Sequence, residues 1–473
     1  MPGGNGPPAS GELNETERRD DRPHELEQEE APLRLAVRVD GQHGRADEVD
    51  DEVPERSWIE HGELGKHEAG QDEQRAGNLD ELVHGTTSRM RGTGARVVVG
   101  TGTTRLVRGG IGRRCQDSGM TRRVALATAV VFAGLAAGAA AAGEAASPPL
   151  AKLVGARLVV GVDGTTASPS LLARIRRGQV GGVILMGSNV RSAPQVRALT
   201  TSLRAAATIA GNPLLVMTDQ EGGTVRRFRW APPSASAEEL GSLGEAAIRR
   251  RGHDTATALE RLGVDVDLAP VADVPSVPGS FIAAQHRGFS PVPTRTAKDV
   301  TAFSAGLLDG GVAPALKHFP GLGLATRSTD DAAVTIDAGA SALAPGLVPY
   351  RRAIAAGVAP IVMISNAAYT AYGGQPAGWS PRVLALLRGL GFTGVTVTDA
   401  LEPLATTHRV TLAQAAIRAA RAGVDLLLFV GPERSTAAVY DALLAEARAG
   451  RLSRAGLEAS AARIEELAAT YAG

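Results

Sequence analysis

From residue 151 to the C-terminus the sequence repeats one unit eight times: a short apolar run, a polar or glycine turn, and a stretch with apolar residues at helical spacing. The apolar runs fall at 157–162, 181–186, 213–218, 264–269, 312–317, 359–365, 394–398 and 424–430. They are continuous in Val, Ile and Leu rather than alternating, which is the pattern of parallel strands buried on both faces. Helical segments are expected between them, for example at 193–210, 245–262, 294–309, 380–389, 411–422 and 435–449. Parallel strands joined by helices wind right-handed. Eight such units predict an α/β fold of the (β/α)8 TIM-type barrel class, built as one domain over 151–473. An open doubly wound sheet is the competing architecture, but no G-x-G-x-x-G turn or phosphate loop follows the first run. A last helical segment, 453–471, is expected to pack on the outside.

The N-terminal third has a different character. All 8 Phe and all 5 Tyr lie after position 120, and residues 1–119 carry one aromatic, Trp58, among charged, Gly and Pro residues. A stretch with so few large apolar groups cannot offset its ordering entropy, so 1–119 is expected to be disordered, or a spurious extension from a mis-assigned start. Met120 opens a second possible start. Thr121-Arg122-Arg123 precedes an uncharged, mostly apolar run from Val124 to Ala142, then small residues, then Ser147-Pro148-Pro149. That order of basic, apolar and small residues over 120–146 is that of an export signal. A membrane anchor is the alternative, but the run is Ala-rich and marginal for spanning. The expected location is therefore outside the cytoplasm, secreted or in the cell envelope, with no membrane partner once the signal is removed.

Charge and cysteine usage remove other classes. Lys plus Arg number 50 and Asp plus Glu number 50, so no excess charge points to a nucleic-acid partner. The single cysteine, Cys115, excludes an intrachain disulfide and a multi-cysteine zinc site. No metal or organic cofactor is expected, because the polar clusters lack a dense His/Asp set of ligand type.

In barrels of this class the functional loops follow the strand C-termini. Here the third run leads into Asp219 and Glu221, the fourth into Asp273, and the fifth into Lys317 and His318. The sixth leads into Ser365 and Asn366, and the seventh into Asp399. Polar groups at so many ends of one sheet point to a rim site. Taken singly, each has a plainer use: Asp399 as a helix N-cap, Lys317 as a buried ion-pair partner, and the arginines as surface residues.

Three segments carry a family resemblance: Asp219-Gln220-Glu221-Gly222-Gly223-Thr224-Val225-Arg226-Arg227-Phe228, Ala269-Pro270-Val271-Ala272-Asp273-Val274, and Lys317-His318-Phe319-Pro320-Gly321. They resemble glycoside hydrolase family 3, most nearly its single-domain bacterial β-N-acetylglucosaminidases, over nearly all of 151–473. The resemblance implies a single catalytic (β/α)8 domain and retaining hydrolysis of a small β-linked sugar substrate or cell-wall fragment. It implies Asp399 as nucleophile, and Asp219, Arg227, Arg287, Lys317 and His318 as the residues that hold the sugar. Glu221 and Asp273 are read as braces for the loop and its arginines.

The pattern departs from the family in one loop. The acetylglucosaminidases have His where Leu322 stands, and an Asp-Ser-His acid/base motif where this chain has Ser328, Thr329 and Asp330. Asp330 or Asp331 is therefore expected to supply the proton, since adjacent carboxylates near Asp399 raise one another's pKa. Hydrolysis of another β-glycoside, or a sugar-binding homologue with impaired catalysis, are the competing expectations.

Overall fold

The computed structural model describes residues 147–472. The expectations for 1–119, for the 120–146 signal and for Cys115 lie outside the described residues.

Eight strands form one parallel sheet: β1 Leu158–Gly161, β2 Gly182–Leu185, β3 Leu215–Thr218, β4 Val266–Asp267, β5 Ala313–Phe319, β6 Ile361–Ile364, β7 Val395–Thr398 and β8 Leu427–Leu428. Each pairs with its neighbours in sequence, and β1 pairs with β8. A bridge between Val397 and Leu426 joins β7 to the start of β8 and closes the ring. Closure removes both sheet edges, which is what separates a (β/α)8 barrel from the open alternative.

The period-2 geometry of a strand sorts its side chains into two cores. Val159, Ile184, Leu215, Met217, Val266, Leu268, Ala313, Ala315, Ile361, Met363, Val395, Val397 and Leu428 form one cluster, the barrel interior. Their neighbours, such as Leu158, Val160, Val183, Leu185, Val216, Leu316 and Val362, pack in the other against the helices. Both faces are apolar, which is why the runs read as continuous in sequence. Helix boundaries follow local chemistry. The helix Ala193–Ala210 starts at Ser192, whose side chain accepts from the Gln195 N–H, and stops at Gly211 in the left-handed region. The helix Leu412–Ala422 opens on a reciprocal Thr411/Gln414 capping box and ends at left-handed Gly423.

The last helix, Arg454–Tyr471, corrects an expectation. It does not join the outer ring. Ile464, Leu467 and Ala468 pack into the interior cluster, and the helix lies across the N-terminal ends of the strands. Asp425, fully buried just before β8, ties it down by accepting from Ser460 Oγ at 2.7 Å and from Arg463 at 2.6 Å, while also taking the Thr396 N–H at 2.9 Å. The N-terminal mouth needs an apolar plug, and the i, i+3, i+4 stripe of this helix supplies it. The opposite mouth stays open and polar.

Candidate active site

The chain leaves β3 at Asp219 and folds into a short antiparallel pairing of Gln220–Gly222 with Val225–Arg226. Gly222 has φ +105°, and a Cβ there would lie 2.1 Å from the Ala235 carbonyl oxygen, so the turn requires glycine. The turn holds Asp219 and Glu221 on either side of Lys317, which projects from β5. The Lys317 Nζ lies 2.7 Å from Asp219 Oδ1 and 2.7 Å from Glu221 Oε1. Arg227 reaches Asp219 Oδ2 at 3.0 Å. Arg287 meets Glu221 through two bonds of 2.8 Å each, a planar fork that fixes both side chains. Burial alone would raise the Asp219 and Glu221 carboxyls. The Lys317 and Arg227 charges hold Asp219 below the ordinary range, and those of Arg287 and Lys317 hold Glu221 far below it. Burial opposes the Lys317 charge, but Asp219 and Glu221 outweigh it and keep the ammonium protonated.

His318 follows on the same strand. Its Nδ1–H donates to Asp273 Oδ2 at 2.8 Å, while Asp273 Oδ1 accepts the backbone N–H of His318 at 3.2 Å and of Leu322 at 2.7 Å. Asp273 thus locks the ring tautomer and pins the 318–322 loop, leaving Nε2 as the imidazole's remaining polar atom. At the next turn Gly321 has φ +130°.

Asp399 stands just past β7. Its Oδ1 accepts the Ala400 N–H at 2.8 Å. The following helix, Leu401–Thr407, has Ala400 at its N-cap and no side-chain cap, so Asp399 does not serve as the cap. Asp330 approaches on the loop after β5, its N–H donating to Ser328 Oγ at 3.1 Å. Partial burial, then the Asp399 charge, push the Asp330 carboxyl upward.

These side chains share one cavity of about 280 Å³. Asp219, Arg227, Arg287, Lys317, His318, Asp330 and Asp399 all line it. Asp330 and Asp331 are both solvent-exposed, but Asp331 is not part of the cavity wall. Ser365 and Asn366, at the end of β6, are buried behind the wall, where Asn366 Nδ2 donates to the Ala400 carbonyl at 2.8 Å and so braces the turn carrying Asp399. Met186, Phe281, Met363, Pro403 and Val430 add apolar groups to the same lining. A lining that mixes hydrogen-bonding and apolar groups suits a sugar ring, which presents both kinds of surface. The volume lies just below the ~300–1,000 Å³ usual for ligand sites, which favours one ring over several.

The sequence match is specific. The model of the glycosyl hydrolase family 3 N-terminal domain matches residues 157–467.

The chain belongs to glycosyl hydrolase family 3.

An uncharacterized secreted glycosyl hydrolase of Arthroderma benhamiae is 34% identical over 349 residues, covering 72% of this chain and 98% of that protein. A β-hexosaminidase of Stenotrophomonas maltophilia is 34% identical over 291 residues, 58% of this chain and 84% of that one. In three dimensions the chain is similar to a β-N-acetylhexosaminidase from Beutenbergia cavernae, with 32% identity and a TM-score of 0.63 over 68% of this chain and 99% of that one.

Two positions carry information that the motifs do not. Leu322 is buried and lines the cavity, an apolar patch inside the polar loop. Asp267, at the end of β4, is fully buried beneath the charged network; its Oδ1 accepts the Gln220 N–H at 2.9 Å and its Oδ2 has no partner. Its only trace in sequence is a second carboxylate, after Asp265, inside an apolar strand run.

Proposed function

We propose that this family 3 protein is an exo-acting, retaining β-N-acetylhexosaminidase, with Asp399 as nucleophile and Asp330 as acid/base. Asp219, Arg227, Arg287, Lys317 and His318 hold the sugar hydroxyls. The observation that carries the reading is the convergence of Asp330 and Asp399 in one cavity of about 280 Å³ that this charged network also lines. The β-hexosaminidase relatives support the sugar class.

The chemistry follows from the two environments. Asp399 attacks the anomeric carbon while Asp330, whose carboxyl burial and the charge of Asp399 push upward, passes its proton to the departing glycosidic oxygen. Asp330 is then a carboxylate and takes a proton from the water that breaks the glycosyl–Asp399 ester. Arg227, Arg287 and Lys317 are paired with Asp219 and Glu221. Burial and the Asp399 charge, which raise the Asp330 carboxyl, outweigh the downward pull of the Arg287 charge. Among the described residues no cluster of three His, Cys, Asp or Glu is arranged for a metal ion, and the two-carboxylate route requires none.

The functional unit in this reading is 151–473, preceded by an export signal at 120–146 and by a 1–119 segment that takes no part. The substrate would be a β-linked sugar or cell-wall fragment outside the cytoplasm. The secreted relative supports export, and no helix among the described residues is long and apolar enough to cross a membrane.

A second reading keeps the fold but not the rate. Ser328, Thr329 and Asp330 replace all three members of the family's acid/base motif, and Leu322 replaces a histidine, which favours a different β-glycoside or a sugar binder with impaired turnover. Two substrates separate these. An aryl β-N-acetylglucosaminide needs little acid help, and an alkyl one needs much. Cleavage of both supports the hexosaminidase; saturable binding with no cleavage of even the aryl compound contradicts it.

A further inference from the structure

The Asp267 carboxyl sits where ionisation is difficult. It is fully buried, one oxygen accepts the Gln220 N–H, and no donor reaches the other. The charged groups that face it are Asp219 and Glu221, from the turn after β3, and Lys317, from β5. Lys317 is already shared between those two carboxylates at 2.7 Å each. An ionised Asp267 would be a third anion competing for one ammonium, with an oxygen left bare of hydrogen bonds. A buried carboxyl in that position takes up a proton instead. Burial, with the Asp219 and Glu221 charges adding to it, pushes Asp267 up to about 8 against the pull of the Gln220 N–H and Lys317.

Gln220 links this group to the site. It lies between Asp219 and Glu221, and its backbone N–H is the one Asp267 accepts. Its side-chain amide donates to the carbonyls of Phe228, Ala231 and Pro232, each at 3.1 Å, and accepts the Phe228 N–H at 3.0 Å. The turn bearing both carboxylates is thus held on one side by the 228–232 loop and from beneath by Asp267.

We propose that Asp267 is a positioning residue of the sugar site that works in its neutral form, fixing the Asp219–Glu221 turn through Gln220 and leaving Lys317 wholly to those two carboxylates. Loss of its proton sets a negative charge below the turn, draws on Lys317 and weakens the hold of Asp219 on the sugar. Asp330 and Asp399 lie on other loops, so the effect falls on KM rather than kcat.

The inference rests on the reading of the cavity as a sugar site, and the test keeps the two apart. With an aryl β-N-acetylglucosaminide, KM of the unaltered protein should rise about tenfold per pH unit above about pH 8. Asp267→Asn still offers an oxygen to the Gln220 N–H but cannot ionise, so its KM should stay level over that range. A level profile in the unaltered protein, or the same rise in Asp267→Asn, overturns the proposal. If Asp267→Asn does not fold, calorimetry of N-acetylglucosamine binding in buffers of different ionisation enthalpy decides. It is run in Asp330→Asn, which removes the other raised carboxyl from the proton balance. Proton uptake on binding should grow toward one above about pH 8, and absence of uptake overturns the proposal. A protein that binds no sugar at any pH contradicts the functional reading itself, whereas binding without pH dependence contradicts only the role of Asp267.

Discussion

Asp330 and Asp331 are adjacent in sequence and both solvent-exposed, but only Asp330 lines the cavity with Asp399. Asp330→Ala is expected to slow cleavage of an alkyl β-N-acetylglucosaminide by about 10²–10⁴-fold and to spare the aryl substrate much of that loss. With the aryl substrate, azide should take the place of the base-assisted water, speed release of the sugar from the glycosyl-enzyme and give a glycosyl azide product. It should not rescue the alkyl substrate, whose leaving group still lacks a proton. Asp331→Ala should change either rate by no more than about twofold, the usual scale of a surface substitution. Because the acid must be protonated, kcat/KM for the alkyl substrate should fall as pH rises through the elevated Asp330 value, and Asp330→Ala should lose that limb. Lys317 answers a stability question. Removing it leaves Asp219 and Glu221 facing each other below the surface, and Lys317→Met is expected to cost about 3–5 kcal/mol in thermal or urea unfolding. The two carboxyls are held below their ordinary values of 3.8 and 4.5, so their contribution is present above that range and is lost as pH falls further. The acid-side loss of melting temperature should therefore be shallower in Lys317→Met. The motifs made Asp219, Lys317, His318 and Asp399 legible in sequence. The choice between Asp330 and Asp331 was not, because it depends on how one loop turns. Asp267 was hidden for a different reason: a buried neutral carboxyl leaves no pattern in an apolar strand.

At the scale of elements, the strands were readable because burial on both faces forces continuous apolar runs. Their lengths were less so: β4 is Val266–Asp267 and β8 is Leu427–Leu428, each shorter than its run at 264–269 or 424–430, because the flanking apolar residues are buried without extending the ladder. The Arg454–Tyr471 helix shows what periodicity omits. An apolar stripe states that a helix will pack, but not against what, and the partner here is the end of a closed barrel that exists only after all eight strands have met. Ile464 and Leu467 are 3% and 5% exposed in that seat. Truncating either to Ala should cost about 2–5 kcal/mol in unfolding experiments. KM should stay unchanged at temperatures where the protein is folded, because the plug and the sugar cavity occupy opposite mouths. A KM effect as large as the stability effect would mean that the two mouths are coupled.

For the whole molecule, folding and the proposed activity belong to the barrel with its C-terminal plug. A chain shortened to 147–473 should fold with a single cooperative transition and keep the kcat/KM of the full-length protein within about twofold; an unfolded or inactive fragment would assign the N-terminal segment a role that its composition does not suggest. The central claim is that Asp399 carries the sugar between the two steps of hydrolysis. It is tested most directly by reacting the protein with a fluorinated β-N-acetylglucosaminide that forms the glycosyl-enzyme quickly and releases it slowly, followed by digestion and mass spectrometry. The account expects one sugar per chain, on the peptide containing Asp399, with no label in Asp399→Asn. A sugar attached to any other residue, or turnover of the aryl substrate by Asp399→Asn at the unaltered rate, would contradict it.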